Sequence, residues 1–288
     1  MNLRDGEVIT NPNYFVPTQK KNSLLSKLAP VLYLQTNCDT STERDAYVEQ
    51  LMKFIQVDSY GNCLNNKELP LHRMYKTTAG DSVTYLYHLY GDELMKLMAR
   101  YKFVITIENA VCNDYVTEKI WRAIEVGTVP IYYGSPLIRD WLPNNKSAIL
   151  LEDFPTPELL SQHLQYLLNN DTAYEEYLEH KTLGIVTNKE LIRELITRPY
   201  ENDLDNTVKA FECFICEKIH DRTNKTVDIV NRSHYDCPNP TSALTFSLNP
   251  ESKWVKYLPE ARAKLDQIYK EVNDPDQTVR QSYTPWYG

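Results

Sequence analysis

Short apolar runs alternate with segments of helical periodicity from residue 31 to residue 168, and this alternation constrains the fold more than any other feature of the sequence. The strand-like runs are VLYLQ, FIQVDSYG, KFVITIE, TVPIYYG and SAILLEDF. KFVITIE is apolar almost throughout, which is typical of a strand buried on both faces. Strands that alternate with helices predict an α/β fold, in which helices cover both faces of a parallel sheet.

The helical segments lie between these runs. Apolar residues recur at helical spacing in segments 40–54, 91–101 and 156–170. A further helix is predicted to begin near Asp114 or Tyr115 and to end at Gly127, a residue type favoured just past a helix. Ligands of such folds bind beyond the carboxyl ends of the strands, where helices begin. The stretch ENAVCNDYVTEK, residues 108–119, therefore lies where a ligand is expected.

The charge of the chain argues against one class of partner. Its 288 residues carry a formal charge of −8. Nucleic acids are bound through basic surfaces, so we expect no nucleic acid partner. The first ten residues lack the basic and apolar regions of a signal peptide, and no apolar run reaches the roughly 18 residues of a membrane span. We therefore expect no targeting segment and no membrane span within this chain.

Six cysteines leave several possibilities open. Cys213 and Cys216 have the CxxC spacing of a metal knuckle, a redox pair or a disulfide knot. With His220, His234 and Cys237 nearby, a zinc- or disulfide-organised interaction module is possible. Disulfides are expected in an oxidising compartment and free thiols in the cytosol. We assign no metal site, and the remaining cysteines are Cys38, Cys63 and Cys112.

Four N-x-[ST] sequons occur, close to the roughly three that composition alone would give, so their use stays open. They begin at Asn145, Asn170, Asn224 and Asn231.

Lys119 stands in an electrostatically unfavourable place. It falls in the early turns of the predicted helix, where a cation meets the positive end of the helix dipole. No acidic residue lies three or four positions away, so no helical neighbour compensates its charge. Free backbone N–H groups and an ammonium together suit a phosphate. Lys119 is therefore a candidate ligand of an anion.

The other polar residues of the stretch have two interpretations each. Glu118 either pairs with Arg122 four residues on or accepts hydrogen bonds from a ribose. Asn109 either holds a sugar or base through its amide or forms an Asx turn. Tyr115 either stacks on a base or fills the first helical turn. Asp114 is interpreted as the N-cap rather than as a catalyst.

Arg44 repeats the pattern of Lys119, because it opens a predicted helix that follows a strand. Glu43 and Glu49 are nearby acids that could neutralise it. The chain contains neither a GxGxxG fingerprint nor a GxxxxGK[ST] loop. Phosphate binding would therefore depend on isolated cations and helix N-termini.

The run YKFVITIENAVCNDYVTEKIWRAIEVGTVPIYYGSP, residues 101–136, resembles the signature of the α1,3-fucosyltransferase family, glycosyltransferase family 10. LQTNCDTSTERDAYVEQL resembles an earlier segment of that family, and DFPTPELLSQHLQYLLNNDTAYEEYLEHK resembles a later one. The resemblance is greatest to the divergent animal members ten and eleven, which are also assigned as protein O-fucosyltransferases. Two features depart from the family pattern. The sequence has IEN in place of FEN, and it has His180 with Lys181 in place of a Trp before a base.

The resemblance implies a GT-B fold, of which this chain would hold mainly the C-terminal Rossmann-like half. Residues 1–30 are then expected to be a linker or a remnant of the N-terminal acceptor half. Residues 31–200 are expected to form the GDP-fucose-binding domain. Residues 201–288 are expected to be a cysteine-containing appendage with an amphipathic helix.

The resemblance also implies roles for the candidate residues. Lys119 and Arg44 would hold the diphosphate and stabilise it as a leaving group, and Glu118 would bind the ribose. Asn109 and Tyr115 would contact the donor nucleoside and sugar. No cofactor beyond the donor substrate and no essential metal are expected. The catalytic residue is not assigned, because the general base of the family belongs to the half that this chain is expected to lack.

The implied activity is an inverting transfer of L-fucose from GDP-fucose to GlcNAc of a glycan or to Ser/Thr of a protein. The implied partners are GDP-fucose and a glycoprotein or protein acceptor. The Golgi or endoplasmic reticulum is the expected compartment, with membrane attachment only through a segment outside this chain. The alternative is a catalytically incomplete donor-binding fragment or short isoform with a regulatory role.

Overall fold

A computed structural model describes residues 7–70, 91–197, 204–220 and 237–272. Its centre is a five-stranded sheet of order β2-β1-β3-β4-β5, in which every neighbouring pair is parallel. The predicted α/β fold is thereby confirmed. The strands are β1 (Val31–Tyr33), β2 (Val57–Ser59), β3 (Phe103–Ile107), β4 (Val129–Tyr133) and β5 (Ile149–Leu150).

Helices connect and cover these strands. Those before β4 are α1 (Glu7–Thr10), α2 (Thr18–Leu24), α3 (Arg44–Leu51), α4 (Asp92–Met98) and α5 (Glu118–Val126). Those after β5 are α6 (Pro157–Leu168), α7 (Asp171–Glu175), α8 (Glu179–Thr182), α9 (Lys189–Thr197), α10 (Leu204–His220), α11 (Lys253–Lys256) and α12 (Leu258–Val272). Short 3-10 turns lie at Ile138–Trp141, Leu151–Asp153 and Glu176–Leu178. Within the described residues, no helix is long and apolar enough to cross a membrane.

Strand β3 is buried along its whole length, as its uninterrupted apolar sequence predicts. Phe103, Ile105 and Ile107 face one core cluster, with α3 and α6, whereas Val104 faces another, with α4 and α5. Burial on both faces fixes the central strand of the sheet. The polar residues that follow it must therefore emerge at its carboxyl end.

Helix α5 begins later than the sequence predicts. It starts at Glu118 instead of near Asp114 or Tyr115, because Asp114 has a φ of 57° and this left-handed backbone cannot continue a helix. The N-cap is Thr117, so the interpretation of Asp114 as the N-cap is wrong. The predicted end is confirmed, since Gly127 has a φ of 68° and its N–H bonds back to the carbonyl oxygen of Ile124.

The N-terminal segment packs against the sheet domain where the sequence predicts a linker or remnant. Lys21 of α2 is buried, and its Nζ donates to the carbonyl oxygens of Tyr101 at 2.9 Å and Gly127 at 2.6 Å. Burial lowers the pKa of Lys21 well below its ordinary value. An ammonium held in this way fixes α2 next to the end of α5.

One part of the C-terminal segment packs against the core, and another part is exposed. Ala243 is buried in the main core, and Phe246 packs edge-on against Tyr133 of β4. By contrast, α10 exposes several large apolar side chains, including those of Phe211 and Ile219. Residues 243–246 therefore pack against the sheet domain, within the region 201–288 that the sequence predicts to be an appendage.

Candidate functional site

The candidate site lies at the carboxyl ends of β1, β3 and β4. Glu108 follows β3 directly and is completely buried, with its N–H donating to the carbonyl oxygen of Tyr133 at 2.8 Å. An added Cβ at Gly134 would lie 2.7 Å from Cγ of Glu108. A glycine after β4 therefore leaves the space in which the carboxylate of Glu108 is seated.

Glu108 joins the strand end to the start of α5. Its Oε1 accepts from the N–H of Thr117 at 2.8 Å, and its Oε2 accepts from the Thr117 hydroxyl at 2.7 Å. Oε2 also accepts from Nζ of Lys119 at 2.9 Å, and the same ammonium lies 2.8 Å from the Thr117 hydroxyl. Lys119 thus has a charge partner, although no acidic residue lies three or four positions from it along the helix. The partner lies eleven positions earlier in the chain, beyond the reach of helical periodicity.

Glu118 contacts both Arg122 of its own helix and Lys119 of the site. Its carboxylate lies 3.5 Å from the guanidinium of Arg122, which confirms the predicted helical pair. It also lies 4.0 Å from Nζ of Lys119, and about a third of its side chain is exposed. Glu118 therefore keeps accessible oxygen atoms beside the Lys119 ammonium.

Arg44 is buried with only neutral hydrogen-bond acceptors. One Nη donates to the carbonyl oxygen of Ile107 at 3.2 Å and to Oδ1 of Asn109 at 2.7 Å, and the other donates to the carbonyl oxygen of Asn37 at 2.6 Å. Its Nε has no partner. In the described part of the chain neither Glu43 nor any other acid forms an ion pair with it within 4.0 Å. The carboxylate of Asp45 interacts with the charge of Arg44 but forms its hydrogen bond with Tyr33 instead. A buried cation without a direct ion pair is costly, and a bound anion would offset that cost.

Asn109 and Tyr115 lie beside these cations. The side-chain oxygen of Asn109 is the acceptor for Arg44, and its carbonyl oxygen accepts from the hydroxyl of Ser41 at 2.9 Å. Partial burial, followed by the charges of Glu108 and Glu118, raises the pKa of Tyr115, and the charge of Arg44 opposes this rise. The phenol therefore lies within electrostatic range of both halves of the cluster. The structure thus brings all five predicted site residues to one edge of the sheet.

Several residues that hold the site have no clear local signal in the sequence. Asp114 accepts from the indole N–H of Trp141 at 3.0 Å, and its own N–H donates to the hydroxyl of Ser135 at 3.0 Å. The hydroxyl of Thr42 donates to the carbonyl oxygen of Glu108 at 2.7 Å. These contacts join segments far apart in the chain, so neither periodicity nor capping rules predict them.

Two disulfides frame the site. Cys38 pairs with Cys63, and Cys112 pairs with Cys237. Cys213 and Cys216 are exposed free thiols on α10.

Of the zinc- or disulfide-organised module left open by the sequence, one possible zinc ligand is lost, because Cys237 forms the disulfide with Cys112. His234 lies outside the described residues, and within those residues no group of three or more metal-ligating side chains occurs.

The sequons differ in setting. Asn145 is exposed, whereas Asn170 caps α7 by accepting from the N–H of Ala173. Asn224 and Asn231 lie outside the described residues.

A cavity of about 640 Å³ lies beside the site, between the start of α3 and residues 242–254. Asp39, Glu43, Asp45 and Glu251 line it, with Lys253 as the basic residue among its lining side chains. Four carboxylates and a single lysine give the cavity a net negative charge, which repels a diphosphate. The charges that line this cavity therefore disfavour an anion within it.

The sequence profile described as Glycosyltransferase family 10 (fucosyltransferase) C-term matches residues 24–233. The chain belongs to glycosyltransferase family 10. The matched profile describes the C-terminal part of these enzymes, which agrees with the predicted C-terminal Rossmann-like half of a GT-B fold.

Two relatives resemble this family 10 member over most of its length. It is 41% identical over 258 residues to GDP-fucose protein O-fucosyltransferase 3 of Homo sapiens, covering 86% of this chain and 51% of that protein. It is 41% identical over 288 residues to the protein of the same name from Danio rerio, covering 94% and 61%. The chain therefore spans little more than half the length of the curated relatives it matches.

Crystal structures of α1,3-fucosyltransferase are also similar. One is 21% identical, with a TM-score of 0.45 over 70% of this chain and 51% of that chain. Another, crystallised with GDP-fucose, is 20% identical, with a TM-score of 0.43 over 73% and 54%.

Proposed function

We propose that this family 10 chain binds GDP-fucose at the loops that follow β1 and β3 and takes part in transferring fucose to a protein hydroxyl. The protein acceptor is favoured because the relatives with about 40% identity are named protein O-fucosyltransferases. Transfer to GlcNAc of a glycan is the other outcome considered. Residues 31–200 form the donor-binding domain in this proposal.

The proposal rests on the burial and the hydrogen bonding of Arg44. Its guanidinium is buried at the carboxyl end of a parallel sheet, holds three neutral oxygens and leaves Nε without a partner. Guanidinium groups bind phosphates through several N–H donors at once. A diphosphate at this edge would add a directly bonded negative charge, whereas the nearby carboxylate of Asp45 interacts with Arg44 without an ion pair within 4.0 Å.

Lys119 and the N-terminus of α5 contribute the second half of the proposed clamp. The side chain of Lys119 is one-tenth exposed, and Glu108 holds its ammonium in place. Free N–H groups in the first turn of α5 add positive potential. Glu118 would accept hydrogen bonds from the ribose, and Asn109 and Tyr115 would contact the donor nucleoside and sugar.

The proposed chemistry is an inverting displacement at the anomeric carbon of fucose. The bond from this carbon to the diphosphate breaks as the acceptor oxygen bonds to the opposite face, through an oxocarbenium-like transition state. Negative charge grows on the departing diphosphate, where Arg44 and Lys119 would stabilise it. The acceptor hydroxyl must also lose its proton to a base, and no residue is assigned to that step.

We also propose the lumen of the secretory pathway as the compartment, with the endoplasmic reticulum or Golgi as its expected part. Two disulfides support this location, since they persist in oxidising compartments. GDP-fucose is the only small-molecule partner proposed, and no metal is assigned to the reaction.

Calorimetric titration with GDP-fucose, together with transfer assays, tests the proposal. We expect the wild-type chain to bind and Lys119→Ala to bind about tenfold more weakly, because one charge-assisted contact is lost. Lys146→Ala removes an exposed lysine far from the site and is the matched control. Equal affinities of Lys119→Ala and Lys146→Ala would remove Lys119 from the site, and binding without transfer to any acceptor would support the fragment alternative.

A further inference from the structure

One segment of the C-terminal region is tied covalently to the candidate site. Residues 237–257, named here the strap, begin at Cys237, which forms a disulfide with Cys112. Cys112 lies in the site loop, residues 109–117, which runs from Asn109 past Tyr115 to the N-cap of α5. The disulfide joins residues 125 positions apart, so it brings the strap directly onto the site loop.

The strap is also bonded to the strand ends around the site. The hydroxyl of Tyr133, at the end of β4, lies 3.0 Å from the hydroxyl of Thr241. The N–H of Ala243 donates to the carbonyl oxygen of Thr42 at 2.7 Å, and the hydroxyl of Thr42 donates to the carbonyl oxygen of Glu108. The buried side chain of Ala243 fixes this part of the strap in the core.

Farther along, the strap contacts the residue that precedes Arg44. Nδ2 of Asn249 donates to both carboxylate oxygens of Glu43, at 2.9 and 3.2 Å. Glu43 has a φ of 50°, a left-handed conformation at the N-cap of α3 that needs support from its surroundings. The indole N–H of Trp254 donates to Asp39 at 3.1 Å. The strap therefore supports the turn that aims Arg44 at the site.

We infer that the strap and its disulfide position the two halves of the donor site, the site loop with Asn109 and Tyr115 and the α3 turn with Arg44. Cys112, Cys237 and Asn249 are positioning residues in this arrangement and do not contact the donor. The inference rests on the proposed donor function. Its physical basis is preorganisation, because side chains that are ordered before binding do not lose conformational freedom when the ligand arrives.

Two perturbations separate the contributions of the strap. Cys112→Ser with Cys237→Ser frees the site loop, and Asn249→Ala frees the α3 turn while keeping the disulfide. Cys213→Ser with Cys216→Ser is the control, because it removes two exposed thiols and neither disulfide. Calorimetry with GDP is performed at a temperature at which circular dichroism shows all variants to be folded.

We expect the Cys112/Cys237 variant to bind GDP about tenfold more weakly, Asn249→Ala about threefold more weakly and the control like wild type. Hydrogen/deuterium exchange of the unliganded protein is expected to rise in residues 109–117 for the first variant and around Arg44 for the second. A purely structural role would raise exchange throughout the sheet domain instead. Local exchange confined to these segments, with weaker GDP binding, is the expected result.

Unchanged GDP affinity in folded Cys112/Cys237 and Asn249 variants would overturn the inference and leave the donor function standing. If wild type itself fails to bind GDP, the donor function fails. The hydrogen/deuterium exchange data then decide whether the strap orders the site loop and the α3 turn. Equal exchange of these two segments in wild type and in both variants would overturn that claim as well.

Discussion

Replacing Glu108 by Gln tests whether a single buried carboxylate joins β3 to α5. Glutamine keeps the shape and one acceptor oxygen for Thr117, but it removes the negative charge that faces Lys119 at 2.9 Å. Leaving one partner of a buried pair unpaired costs about 3–5 kcal/mol. Glu108 is fully buried and the Lys119 side chain is one-tenth exposed, so the lower end applies. We expect the free energy of unfolding to fall by about 3 kcal/mol.

A double-mutant cycle isolates this pair from general damage. Lys119→Met in the Glu108→Gln background removes the unpaired ammonium, and we expect it to restore about 2 kcal/mol of the lost stability. Urea unfolding followed by circular dichroism, with both disulfides intact, measures all four proteins. Additive effects of the two substitutions, or a loss below about 1 kcal/mol for Glu108→Gln, would refute the assigned role of Glu108.

Two further predictions concern stability. Gly127→Ala places a Cβ at a φ of 68° and against the ring of Phe15, so thermal unfolding should show a loss of at least about 1 kcal/mol, whereas an unchanged midpoint would contradict the assigned C-cap. Burial, and secondarily the charge of Lys181, lowers the pKa of His180 from 6.5 to about 3. Between these values the unfolded chain binds a proton that the folded chain does not, so the free energy of unfolding should fall by about 1.4 kcal/mol per pH unit as pH drops below 6. Urea unfolding between pH 7 and 5, where most carboxylates stay ionised, should show a slope that is smaller in His180→Asn than in wild type by about this amount, while His163, whose pKa is also lowered by burial, contributes equally to both proteins.

Local sequence signals predict the scaffold of the site well. The apolar run of β3 and the glycine at the end of α5 act through burial and backbone conformation within a few residues, and both appear as predicted. The start of α5 does not, because the left-handed backbone at Asp114 depends on contacts with Ser135 and Trp141 that no local pattern contains.

The candidate residues are predictable as a set, but their interactions are not. Lys119 stands out because its helix offers no acid, yet its partner Glu108 is reached across a loop. Arg44 is a candidate from spacing and from the family resemblance, but its burial among neutral acceptors follows from neither. Sequence periodicity does not predict the position of the strap, because that position depends on a disulfide between residues 125 positions apart.

The central claim is that Arg44 meets the diphosphate of GDP-fucose, and the most direct measurement compares GDP with guanosine. Calorimetric titrations of wild type and Arg44→Lys with both ligands separate contacts to phosphate from contacts to the nucleoside. Lysine keeps the charge but cannot hold three protein oxygens and a phosphate together. We predict that GDP binds Arg44→Lys about tenfold more weakly while the affinity for guanosine is unchanged. An equal loss for both ligands, or no loss for GDP, would contradict the claim.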